Sequence, residues 1–191
     1  FRSISGETYV LKWTIYNACT HSSDQVTISF IDDSFSCGEI MTDPRDSKQY
    51  TTVLIGTQCW MAENLNVGSM INGTENPSDN AVIEKYCYNN DANNCNTYGG
   101  LYQWDEMMQY STEESIQGIC PPGWHIPSDE EIKVLEMELG MTEGEADTNN
   151  SWRGPGVGTA LIDGGSSGFN ILFGGARTSG GGWMYIEGSG T

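Results

Sequence analysis

Chemistry in this chain has few places to start. The stretch GICPPGWHIPSDEEIKVLEMELG, residues 118 to 140, sets His125 four to six residues ahead of Asp129, Glu130 and Glu131, the spacing at which an imidazole and a carboxylate can share a proton. A second group lies in NNDANNCN, residues 89 to 96. There Asp91, Asn93, Asn94 and Asn96 gather carboxylate and amide oxygens of the kind that hold a hard cation such as calcium. The same residues also suit Asx turns and left-handed backbone, and the order lacks EF-hand spacing, so both readings stand. A third group is aromatic. Trp152 and Trp183 sit in glycine-rich surroundings as candidate flat faces for a sugar.

The elements that must position these residues are legible in part. Ser128 followed by Glu131 is a capping box, in which the hydroxyl accepts one orphan amide and the carboxylate reaches back to another. Asp129 and Glu130 place negative charge at the positive end of the helix dipole. Ile132, Leu135 and Leu139, with Val134 and Met137, give the apolar stripe, and Gly140 is the stop. Pro121, Pro122 and Pro127 stiffen the approach. Every acid of this run thus has a structural use, and capping accounts for the spacing without catalysis.

Composition narrows the classes. The 191 residues suffice for one domain of ordinary size and a small appendage. Acids outnumber bases 26 to 8, for a formal net charge of −18. A polyanion needs clustered Lys and Arg, so nucleic acid is excluded as a partner, and an anionic membrane surface is disfavoured. No apolar run reaches the roughly 20 residues of a membrane span, so membrane insertion is not expected. No signal peptide is visible, and FRSISGETYVLKW opens already in strand-like alternation. Six cysteines with little Lys and abundant Asn, Gly, Ser and Thr point to an oxidising, extracellular setting, secreted or on the cell surface. Six cysteines allow 15 pairings, among which short spacing favours Cys87 with Cys95.

Along the chain, TYVLKWTIYN and DQVTISFID alternate as two strands around the turn ACTHSSD, a hairpin that by itself is marginal and needs more sheet to pack on. Asp46-Ser47-Lys48 marks a turn before the strand YTTVLIG, and residues 68 to 80 read as loop. KYCYNNDANNCNTYGG reads as a cysteine-closed polar loop leading into an aromatic, partly helical run. The last 50 residues are glycine-rich, with brief strands expected at Leu161–Ile162, Phe169 to Phe173 and Trp183 to Ile186. The sequons Asn72-Gly73-Thr74 and Asn149-Asn150-Ser151 fall in expected loops.

Zinc and hydrolase chemistry find little support. His21 and His125 are the only histidines, with no paired C-x-x-C motif and no G-x-S-x-G.

DPRDSKQYTTVLIGTQCWMAENLN, YCYNNDANNCNTYGGLYQWDEMM, QGICPPGWHIPSDEEIKVLE and GTALIDGGSSGFNILFGGAR occur in one order, and with them the chain resembles the Fibrobacter succinogenes major paralogous domain from about Cys37 onward. GWHIPSDEE is also similar to a corner found in formylglycine-generating-like and other C-type-lectin-like domains. The resemblance implies an α+β, C-type-lectin-like fold over residues 34–191, loop-rich and glycine-rich. Residues 1–33 resemble the final strands of an immunoglobulin-like or polycystic-kidney-disease-type β-sandwich. The family resemblance implies a Cys37–Cys59 disulfide, an orienting role for His125 and places in the core for Trp60, Trp104 and Trp124, which lie at motif positions. It leaves Cys19 and Cys120 to partners outside the sequence, with closing family strands, ending in SVRC, beyond YIEGSGT or supplied by another chain. Formylglycine-generating chemistry would need a reactive cysteine pair after Cys120, and none is there.

The function these readings imply is a non-catalytic extracellular surface module, not an enzyme. It would act in adhesion or in surface or filament assembly, with other surface-protein subunits as partners or as a homopolymer. The alternative is a calcium-assisted carbohydrate-binding module with glycans as partners.

Overall fold

Alternation of apolar and polar residues in the first two strands produces one long antiparallel pair. The computed structural model describes residues 8–16, 21–29, 35–149, 151, 153–154 and 156–186, and the chain divides into two compact units, Phe1–Ser36 and Cys37–Thr191. In the first unit β1 (Thr8–Tyr16) pairs with β2 (His21–Ser29) in unbroken register from Thr8↔Ser29 to Tyr16↔His21. Directly opposed residues share a face. Leu11 therefore lies beside Val26, and with Trp13 and Ile15 they form an apolar face, while Lys12↔Gln25 and Thr14↔Ser23 fall on the polar one. That apolar face is open: Leu11, Trp13, Ile15 and Val26 are 48, 49, 71 and 43% exposed.

The second unit is mixed α and β, with strands of two to four residues that, among the described residues, are joined in pairs. β3 (Met41–Thr42) pairs with β4 (Gln49–Tyr50), and β5 (Thr52–Ile55) with β6 (Gln58–Met61), both antiparallel. β7 (Ser69–Met70) and β8 (Glu84–Lys85) run parallel. Gly68, at φ +91°, precedes β7 so closely against the neighbouring chain that a Cβ would lie 2.3 Å from the Ile83 carbonyl oxygen, which leaves no other residue type there.

Helices fill the spaces between these ladders. They are α1 (Ala92–Tyr98), α2 (Trp104–Met107), α3 (Asp129–Glu138), α4 (Glu143–Ala146) and α5 (Val157–Leu161), followed by β9 (Gly174–Arg177) antiparallel to β10 (Trp183–Ile186). The expected helix after His125 is present, with both halves of its capping box formed. Two expectations of coil or strand are corrected. Residues 92–98, read as part of a cysteine-closed loop, are helical, and Leu161 ends α5 before Ile162 forms an isolated bridge to Ile171.

The core is modest and spread along the chain. Tyr50, Ile55, Tyr86, Ile119 and Leu135 are buried, and Met141, Ala146 and Val157 form a cluster under Leu139 and Leu161. Two disulfides reinforce it. Cys37–Cys59 holds the first residue of the unit to β6, and Cys87–Cys95 closes a short loop onto α1. Loop closure of this kind stabilises by restricting the unfolded chain.

Candidate functional site

The corner around His125 is built by local hydrogen bonding. The Glu131 carboxylate accepts from the Ser128 N–H at 2.9 Å, and the Glu131 N–H donates to Ser128 Oγ at 3.3 Å. The other carboxylate oxygen, Oε1, lies 2.9 Å from His125 Nε2. The Ser128 amide bond, together with His125, holds the Glu131 carboxyl below its ordinary range against a smaller opposing effect of burial. Asp129 and Glu130 instead meet Lys133, at 3.1 and 3.0 Å, which also bridges to Asp147 at 3.0 Å. His125 is thus the arm of a cap, tied to a carboxylate that is itself tied to the helix start.

The Asn-rich segment is also committed to structure. Asp91 caps α1, its Oδ1 accepting from the Asn93 N–H at 2.9 Å, and Asn94 Nδ2 donates to the Tyr88 carbonyl at 2.9 Å. Asn89 and Asn90 take positive φ, the turn geometry that Asn tolerates. Asn93 and Asn96 lie one turn apart on the exposed side of α1. Among the described residues no group of three or more His, Cys, Asp or Glu gathers as a metal would require.

The tryptophans exchange roles relative to the sequence reading. Trp183, expected exposed, is half-buried on β10, with its ring 5.6 Å from Tyr88 and 6.5 Å edge-on from Tyr86. Arg177 stacks 4.4 Å over the other contact of that group, Tyr86, and its guanidinium donates to the carbonyls of Gly73 and Glu75. Trp104, expected in the core, is 63% exposed as the first residue of α2. Trp60 packs on Phe169 at 5.6 Å. Trp152 lies outside the described residues, as does Cys19.

Several charges are buried, each for a structural reason that single-residue reading does not reveal. Asp43 is fully enclosed and grips Arg45 by two oxygens, while its backbone N–H and C=O close the 43–48 turn. Glu106, 1% exposed, accepts from the Glu84 N–H at 3.0 Å and the Tyr110 hydroxyl at 3.1 Å. Lys85, 7% exposed, donates to Asn66 Oδ1 at 2.5 Å and to the Asn66 carbonyl at 3.0 Å, and Lys48 donates to that same carbonyl. Burial, followed by the neighbouring Lys48 charge, pulls the Lys85 ammonium down to about 8. Burial pushes the free Cys120 thiol up to about 11, which makes it a poor nucleophile at neutral pH.

A cleft of about 470 Å³ lies between residues 48–51 on and beside β4, the 62–66 segment, the end of α1 and residues 163–172. Asn64 ties its walls together, since Nδ2 donates to the Tyr98 carbonyl at 2.8 Å and to the Leu172 carbonyl at 3.0 Å. Glu63 accepts from the Thr51 N–H and hydroxyl through Oε1 alone. Of the residues singled out from sequence, Cys95 and Asn96 border this cleft. Gln49, Glu63, Asp163 and Asn170 carry no local signal, because they come from three segments far apart in sequence.

No curated protein and no solved structure matches the chain. The family model of the Fibrobacter succinogenes major domain matches residues 53–190, a span that contains the capped GWHIPSDEE corner, the Cys87–Cys95 loop, every helix of the second unit and the whole cleft apart from its β4 rim. With more than half of its length so matched, the chain belongs to the Fibrobacter succinogenes major domain family.

Proposed function

We propose that the chain is a non-catalytic extracellular module, its second unit C-type-lectin-like and its first unit a pair of sandwich strands, that works by joining other subunits at a bacterial surface. The observation that carries this reading is the open face of the β1–β2 hairpin, where Leu11, Trp13, Ile15 and Val26 stand exposed on strands that, among the described residues, pair only with each other. An exposed face with an apolar stripe, here interrupted by Asp24 and Ser22 opposite Trp13 and Ile15, on a two-stranded ladder is the kind of surface that adds a strand or a sheet from elsewhere. Two disulfides support an oxidising compartment. The absence of catalysis is supported by His125, whose imidazole faces a capping carboxylate rather than a nucleophile.

The test is assembly of the purified chain, followed by light scattering and electron microscopy, with Leu11→Ser/Trp13→Ser as the comparison. The reading expects concentration-dependent oligomers or fibres that the double variant loses while its second unit stays folded. A native chain that stays monomeric at all concentrations and captures no partner subunit through this face would overturn it. Calcium-assisted sugar binding at Asp91 has weaker support, because the Asp91 carboxylate is already the α1 cap.

A further inference from the structure

We propose that the cleft between residues 48–51, the end of α1 and residues 163–172 is a binding site for a neutral saccharide, engaged without a metal ion. Its volume of about 470 Å³ suits a small ligand or one to three sugar rings of a longer chain. The argument lies in which lining groups are already engaged. Lys48 is the cleft's cation, and its ammonium is held by Asp46 at 3.1 Å and by the Asn66 carbonyl. Glu63 keeps Oε2 unclaimed, and no hydrogen bond from the described residues claims the side chains of Asp163, Asn96, Asn170 or Gln49.

The unclaimed set is therefore two carboxylates and three carboxamides. Carboxylates only accept, and carboxamides both donate and accept. A carboxylate or phosphate ligand would meet Glu63 and Asp163 with no free cation to offset them, which rejects it. A purely apolar ligand would leave all five groups without partners on losing water. An uncharged ligand dense in hydroxyls, each both donor and acceptor, satisfies both kinds of group, and Leu172 offers apolar wall to its C–H faces. Asn64 fixes the end of α1 against the Leu172 segment, so the walls of the cleft are set before the ligand arrives, while Gln49, Glu63, Asn96 and Asp163 are exposed and free to turn toward its hydroxyls.

This site is separate from the hairpin face, so the inference stands or falls apart from the assembly reading. The experiment uses the whole chain on an array of neutral, acidic and amino oligosaccharides in the presence of EDTA, followed by titration calorimetry of the neutral hits. Asp163→Ala and Asn96→Ala are the cleft variants. Asn96 sits exposed in α1, where Ala is the better helix former, so that variant should keep or raise the melting temperature. The expected result is binding to neutral glycans that EDTA leaves unchanged and that each variant weakens at least tenfold without loss of folding. No neutral hit, hits confined to acidic or amino sugars, binding abolished by EDTA, or binding that both variants leave intact would each overturn the proposal. Binding that survives Leu11→Ser/Trp13→Ser separates this site from the hairpin.

Discussion

Arg45 lies across the buried Asp43 carboxylate, with Nε 2.9 Å from Oδ1 and Nη2 2.6 Å from Oδ2. Burial alone would raise the Asp43 carboxyl, but hydrogen bonds from the Arg45 side chain and backbone, with its charge, outweigh burial and hold it below its ordinary 3.8. Replacing Arg45 with Met leaves a fully enclosed carboxylate unpaired. A loss of order 3 kcal/mol is expected, read by urea unfolding at pH 7, whereas Asp43→Asn/Arg45→Met together should cost less than the single change.

The same pair sets an acid limit. A carboxyl lowered on folding contributes stability that is whole above its unfolded value and disappears as pH falls through the folded one. Glu131, lowered first by the Ser128 amide, has the same sign. The chain should lose stability as pH drops below about 4, and Glu131→Gln should flatten part of that fall. Ser128→Ala should cost about 1 kcal/mol at pH 7 by removing the other half of the cap.

Lys85 has the opposite dependence. Unfolded, it keeps its proton to an ordinary 10.5, and folded only to about 8, so above about 8 the unfolded state binds more protons and stability from this residue rises with pH. Cys120, raised from 9.0 to about 11, works the other way at higher pH, so the window to examine lies between about 8 and 9. Unfolding free energy of the native chain should climb there relative to Lys85→Met, and parallel curves would mean that the ammonium is solvated.

The two disulfides should differ in weight. Cys87–Cys95 closes 8 residues and Cys37–Cys59 closes 22. Loop entropy then gives roughly 2.5 kcal/mol for the shorter and about 3.4 kcal/mol for the longer. Paired Cys→Ala variants, compared by denaturant midpoint, should rank in that order; the reverse order would show that the buried sulfurs of Cys87 and Cys95 matter more by packing.

What could be read from sequence was what is local. Ser128, Glu131 and the stripe through Leu135 specify α3 within a dozen residues, so the helix and its cap were visible at once. The α1 helix was not, because Ala-Asn-Asn-Cys-Asn-Thr-Tyr is poor in helix formers. The Asp91 cap and the bond from Cys95 to Cys87 override that preference. Trp104 and Trp183 were transposed because side-chain exposure depends on distant residues: Trp183 is covered by Tyr86 and Tyr88, nearly a hundred positions earlier. The cleft was illegible for the same reason, since Glu63, Asn96 and Asp163 meet only after the chain has folded.

In the assembly proposed above, the Cys37–Cys59 bond would have a mechanical meaning. Tension entering the second unit at Cys37 passes through sulfur directly to β6 and bypasses β3, β4 and β5. Up to roughly 70 Å of extended backbone is kept out of the line of load. The segment that forms the Asp43 turn and the near wall of the cleft would stay folded under a pull that unzips unprotected ladders, and reduction would turn the same segment into slack.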